Sequence, residues 1–157
     1  MTAQMINQFV LQDFAKAKNK AMWRDWLSKL TRKSNNLLSF QETYHKLGIK
    51  QQHYLGLQVV PITKIVGSEG RPLDFDRAFF PRQSHTKSRW LSIDRAYYEH
   101  ASLPAVELIK IDDRYFVRDG NHRVSVARSR GQEFIDAIVI EIEGHTTTAQ
   151  LPYSANN

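Results

Sequence analysis

Apolar residues recur at three- and four-residue steps near the start of the chain: Ile6, Val10, Phe14, Ala17 and Ala21, then Trp23, Trp26, Leu27 and Leu30. No Pro or Gly interrupts Gln4 to Lys33. That period predicts one long amphipathic helix, or two with a break near Lys18 to Lys20. Its Trp and Phe stripe is expected to be core or docking surface. Ser34, Asn35 and Asn36 mark a turn. Ser39 followed by Glu42 has capping-box spacing, so a short helix over Phe40 to Leu47, stopped by Gly48, comes next. Residues 1–50 are thus expected to form a helical arm.

Beyond it the period changes. After a polar connector from Lys50 to Gly56, Leu57 to Val66 reads as a first strand, with Pro61 placing it at an edge or near a break. Gly67 to Gly70 reads as a turn. The stretch from Arg71 to His100 is long and irregular, and its aromatics Phe75, Phe79, Phe80 and Trp90 should fix it to the body, with Ser92 to His100 helical. Long ordered connections of this kind are often functional. Leu103 to Ile111, the pair Asp112 and Asp113, and Arg114 to Val117 give a hairpin signal. A helix-compatible run from Asn121 or His122 to Gly131 follows, and then a strand over Phe134 to Ile142 with Ile138, Ile140 and Ile142 on one face. Residues 144–157 are expected to fray. The predicted class is α+β: a small mixed β-sheet with packed helices over residues 57–143, preceded by the arm.

A chain of 157 residues, 41% apolar and 11% aromatic, can bury one real core. No run approaches the roughly 18 apolar residues of a membrane helix, and no basic leader opens the chain, so a cytoplasmic protein with no membrane partner is expected. The absence of cysteine removes disulfides, thiolate nucleophiles and Cys-ligated zinc. Charge is unevenly placed. Residues 1–56 hold nine Lys/Arg against three Asp/Glu, so they carry the whole net charge of +6. Such a segment is either a footprint for DNA, RNA or another polyanion, or a solvated Lys-rich face. A second basic stretch has six Lys/Arg between Arg71 and Arg95 against three Asp. Its Arg71, Arg77, Arg82, Lys87 and Arg89 are candidate contacts for nucleic acid or a triphosphate.

Candidate chemistry sits at Asp119-Gly120-Asn121-His122-Arg123. A strand running through a glycine turn into a helix leaves the first helical N–H groups unpaired, and the positive end of the helix dipole favours an anion. Gly120 permits close approach, and Arg123 supplies a planar charged fork suited to phosphate. The plain alternative is a strand-to-helix corner with a structural Asn and a surface Arg. No set of His, Asp and Glu shows metal-ligand spacing.

The order strand, basic linker with a helix, hairpin, D-G-N-H-R, helix, strand resembles the ParB/sulfiredoxin superfamily over roughly Leu57 to Glu143. The pentapeptide is similar to the G-E-R-R box of ParB proteins, the G-G-C-H-R box of sulfiredoxins and the D-G-x-x-R box of free-serine kinases. The phrase DFDRAFFPR looks like that of bacterial proteins with a ParB-like nuclease label. The resemblance implies a nucleotide-phosphate site. Gly120 would allow approach, Asn121 and His122 amides would donate, Arg123 would neutralise charge, and Asp119 would hold Arg123 or a metal-bound water. It further implies an NTP hydrolase or phosphotransferase, with nucleoside triphosphate and Mg²⁺ as cofactor, acting on nucleic acid. The alternatives are a non-enzymatic DNA-binding or regulatory module, and a ParB-like nuclease. Asn121 stands where sulfiredoxins carry their cysteine, which excludes that chemistry by residue type, and Ser125 stands where ParB has a second arginine. His122 is expected to pack at the corner, touch phosphate or move a proton. Glu69, just after the first strand, is a candidate carboxylate base or simply part of a turn.

Overall fold

The structure is a computed structural model that describes residues 1–145. In these residues the chain is α+β, with four α-helices and one mixed six-stranded sheet. The first helix, α1 (Ala3–Thr31), is continuous, capped at its start by the Thr2 hydroxyl accepting from Met5 N–H at 3.3 Å. No break occurs near Lys18 to Lys20. The chain then forms β1 (Leu38–Ser39), α2 (Phe40–His45), β2 (Ile49–Pro61) and β3 (Ile65–Ser68). After a long loop come α3 (Lys87–Tyr98), the hairpin β4 (Val106–Ile111) and β5 (Arg114–Asp119), then α4 (Asn121–Ser129) and β6 (Phe134–His145).

The sheet order is β1-β3-β5-β4-β6-β2. Strand β3 runs parallel to β5, β5 antiparallel to β4, β4 parallel to β6, and β6 antiparallel to the edge strand β2. Alternation along the inner strands sends Val106, Leu108, Tyr115, Val117, Ala137 and Val139 to one face, where Val124 and Ala127 of α4 cover them. Ile109, Ile111, Phe116 and Ile142 point to the other, beneath Phe40 of α2. A third apolar layer joins α1, α3 and α4 through Phe14, Ala17, Trp90 and Val126. Trp90 is fully buried, and its indole N–H donates to Ser125 Oγ at 3.0 Å. A second arginine in place of Ser125 would have to displace that indole.

Several expectations need correction. The polar stretch from Lys50 to Gly56 is strand, not connector: it pairs with Gly144 through Val139 of β6, with a bulge between Tyr54 and Gly56. Leu57 to Val66 is not one strand. It breaks at a 3₁₀ turn over Ile62–Lys64, and its halves lie at the β2 edge and in the interior strand β3. Pro61 ends the first half, where the ladder no longer needs its missing N–H. Gly67 and Ser68 belong to β3 rather than a turn. A Cβ on Gly67 would lie 2.3 Å from Leu38 O and 2.5 Å from the Phe116 ring, so close packing accounts for that glycine. Leu38 and Ser39 are part of the sheet, paired with Gly67 and Ser68. Helix α3 starts at Lys87, earlier than Ser92, and β4 starts at Val106, later than Leu103. Of the expected tail, Gly144 and His145 belong to β6, and residues 146–157 lie outside the described residues. No helix among the described residues is long and apolar enough to cross a membrane.

The irregular stretch after β3 is fastened by Asp76, which has no exposed surface. Its Oδ1 accepts from the Ala78 and Phe80 amides at 2.9 Å each, and its Oδ2 from Arg24 Nε at 2.7 Å and Asn35 Nδ2 at 3.2 Å. This turns the loop back on itself and ties it to α1. Phe75 and Phe79, both buried, then enter the core.

Candidate functional site

Strand β5 delivers Asp119 to the end of the sheet, and Gly120 turns the chain into α4 with φ 105° and ψ 25°. That conformation is costly for any residue with a Cβ. An added Cβ would also sit 2.6 Å from Val106 Cγ1 and 3.2 Å from Arg123 Cζ. Within α4 the first amide to find a helical acceptor is that of Val124, on Gly120 O at 2.9 Å. The amides of Asn121, His122 and Arg123 precede it and form the open N-terminus, at the positive end of the dipole.

This corner floors a cleft of about 430 Å³. Asp119, Gly120, Asn121, His122 and Arg123 all line it, joined by Arg71 and Gly70 after β3, Arg89 of α3, and Arg118 of β5. Ile93, Leu103 and Pro104 give it an apolar wall. Asn121 is 8% exposed, and its side-chain Oδ1 is buried without a partner. A buried polar atom left unpaired is uncommon in a folded chain.

His122 is also nearly buried, with its ring edge-on to Phe75 at a centroid distance of 5.4 Å. Burial, and next the positive charges of Arg71 and Arg89, lower its pKa to about 4. At neutral pH the ring is therefore uncharged, able to donate or accept a hydrogen bond but not to supply a positive charge.

Arg123 is held in place rather than left open. One Nη donates to the carbonyls of Pro104 at 2.7 Å and Ala105 at 2.8 Å, and the other is paired with Asp119 Oδ2. The residue therefore positions the segment before β4 against the helix start. Asp119 meets the expectation that it holds Arg123. Of the other arginines on the cleft wall, Arg89 has no ion-pair partner among the described residues, whereas Arg71 pairs with Asp74 at 2.9 Å and Arg118 lies beside Glu69.

Glu69 follows β3, as expected, and its amide donates to Val117 O at 2.9 Å. Its carboxylate lies 3.4 Å from Arg118 Nε, and Glu69 is not among the cleft-lining residues. Of the basic candidates in the linker, Arg71 and Arg89 reach the cleft, whereas Arg77, Arg82 and Lys87 do not line it. Arg82 is structural: its guanidinium bonds Asp25 at 2.5 Å, Asn36 Oδ1 at 2.8 Å and Asn35 O at 2.8 Å. Arg118, Ile93 and Leu103 were not singled out from the sequence. Arg118 adjoins the pentapeptide, and that proximity was its one legible signal. No group of three or more His, Asp and Glu that could hold a metal is present among the described residues.

Comparison with protein-family models, with curated proteins and with solved structures gave no match.

Proposed function

We propose that this chain is a nucleotide-binding protein of the ParB/sulfiredoxin type, which seats the phosphates of its ligand at the start of α4. The observation that carries the reading is the convergence of three arginines, Arg71, Arg89 and Arg118, on an open helix N-terminus. Backbone amides and guanidinium forks are the donors that phosphate oxygens require. A volume of about 430 Å³ falls within the usual range for a small-molecule site. Ile93, Leu103 and Pro104 offer the surface a base or sugar would cover.

The same residues bear on a bound metal ion. Among the described residues that line the cleft Asp119 is the one carboxylate, and a nucleotide's phosphates would supply most ligands of a Mg²⁺ ion arriving with it. That ion would neutralise phosphate charge. Asp119 is paired with Arg123 and Glu69 with Arg118, while His122 is neutral. Each candidate proton acceptor is thus either engaged or a very weak base. This favours binding over turnover, and so a regulatory, ligand-sensing module over an NTP hydrolase, phosphotransferase or nuclease.

The test is thermal unfolding of the full chain with ATP, CTP, GTP or ADP and Mg²⁺, for wild type and for Arg89→Ala. Ligand at a hundredfold excess over Kd stabilises by about 2.7 kcal/mol, which in a chain of this size raises Tm by roughly 5–10 °C. Arg89 is exposed and has no ion-pair partner among the described residues, so Arg89→Ala should leave the unliganded Tm unchanged and weaken the shift. Arg123→Ala should instead lower the unliganded Tm. Lack of a shift with every nucleotide would exclude the proposal.

A further inference from the structure

The second half of α1 presents an apolar face that the fold does not use. Ile6, Val10, Phe14, Ala17 and Ala21 are buried against the body, but no residue after Ala21 in this helix is. Met22, Trp23, Trp26, Leu27 and Leu30 are 48–69% exposed. At 3.6 residues per turn they fall in one sector of about 140°, roughly opposite the buried set. They form a ridge about 13 Å long, with Trp23 and Trp26 edge-to-face at 5.9 Å. Exposed apolar clusters of this kind commonly mark interaction surfaces, and Trp is enriched among the residues that dominate binding energy.

Charge defines what fits there. Recesses flank the ridge on both sides, of about 540 Å³ with Lys16 and Lys20 beside Trp23, and about 430 Å³ with Lys18 and Lys29 beside Met22 and Trp26. The carboxylates within them are already engaged: Asp13 by Tyr98, Asp94 by Arg130, Asp25 by Arg82. Lys20 and Lys29 have no carboxylate partner among the described residues.

We infer that this ridge docks an acidic amphipathic helix of a protein partner. Its apolar stripe would pack on Trp23, Trp26 and Leu30, and carboxylates on its flanks would reach the lysines. Lys16 and Lys20 lie one turn apart, the spacing at which successive glutamates on one helix face repeat. A second copy of this chain would bring the same lysines against them. A flat lipid surface would leave the recesses unfilled, and a phosphodiester backbone, charged along its whole length, would leave the apolar ridge uncovered. Carboxylates flanking an apolar helix stripe fill the recesses and cover the ridge together.

The test uses the full chain and a synthetic 18-residue helical peptide with a leucine stripe flanked by glutamates. Its controls are the same peptide with lysines for glutamates, vesicles of phosphatidylcholine with phosphatidylserine, and an oligo(dT). Trp90 is buried, so a blue shift in tryptophan emission reports on Trp23 and Trp26. The acidic peptide should give a saturable shift that the lysine peptide does not. Lys20→Glu with Lys29→Glu should weaken it at least tenfold, and Trp23→Ala with Trp26→Ala should abolish binding followed by a fluorophore on the peptide. Far-UV circular dichroism should be unchanged in both variants. Absence of a saturable shift would overturn the inference. So would a shift unaffected by the lysine changes, stronger binding to vesicles or oligo(dT), or a dimer in sizing experiments that Trp23→Ala with Trp26→Ala dissociates.

Discussion

Acidification tests the cleft most directly, because His122 is held neutral there. Its pKa falls from 6.5 to about 4 through burial and the charges of Arg71 and Arg89. A base whose folded pKa is depressed favours folding fully above its unfolded pKa, and that contribution is lost as pH falls through the folded value. The window is therefore pH 6.5 down to 4, and the difference between those values amounts to about 3 kcal/mol. Urea unfolding at pH 7 and pH 4.5 should show wild type losing more stability than His122→Gln, which has nothing to protonate at that position. Histidine NMR gives the pKa directly. A phosphate group in the cleft would offset the two arginine charges and move the His122 titration upward. Titration of His122 at pH 6 or above in the free protein would refute the account of its environment. A titration unmoved by a saturating nucleotide would show that the ligand sits elsewhere.

Gly120→Ala should destabilise by about 2–5 kcal/mol in chemical denaturation, the sum of a strained positive φ and a methyl pressed on Val106. A neutral result would mean the turn relaxes freely. Asp76→Ala leaves the Ala78 and Phe80 amides without their acceptor and Arg24 without its partner, so a loss of about 3 kcal/mol or more is expected in the same assay. Asp94 behaves oppositely to His122: burial raises its pKa from 3.8 to about 6 despite Arg130, so its favourable contribution is present below pH 3.8 and lost as pH rises through 6. The stability of Asp94→Asn relative to wild type should accordingly improve by about 3 kcal/mol between pH 4 and pH 7, and a difference independent of pH would contradict it.

Local chemistry was enough to locate the corner at Gly120. A β-rich run, a glycine and a helical run specify strand, turn and helix start from nearest neighbours alone, and the hairpin about Asp112 and Asp113 follows from the same short-range rules. The capping hydroxyl of Ser39 was legible for that reason too. What the period of the pattern leaves open is which apolar face another element covers. The apolar positions of α1 change side after Ala21: Ile6 to Ala21 pack on the body, whereas Trp23, Trp26, Leu27 and Leu30 face outward on the opposite side and the polar Arg24 and Asp25 hold the second half to Asp76, Asn35 and Arg82. The strand from Leu57 to Val66 is split where Pro61 signals an edge or break, but the destinations of the halves, beside β6 and between β1 and β5, are set by the places the sheet offers. Long cations are the extreme case. Nothing near Arg82 in sequence reveals that it bonds Asp25, 57 residues away, nor does the pentapeptide show that Arg123 reaches Pro104 and Ala105. Sequence alone determined where strand, glycine turn and helix start meet. Tertiary structure decided which arginines remain free to face that junction, since a guanidinium is engaged or open according to the acceptors that distant segments bring within about 3 Å.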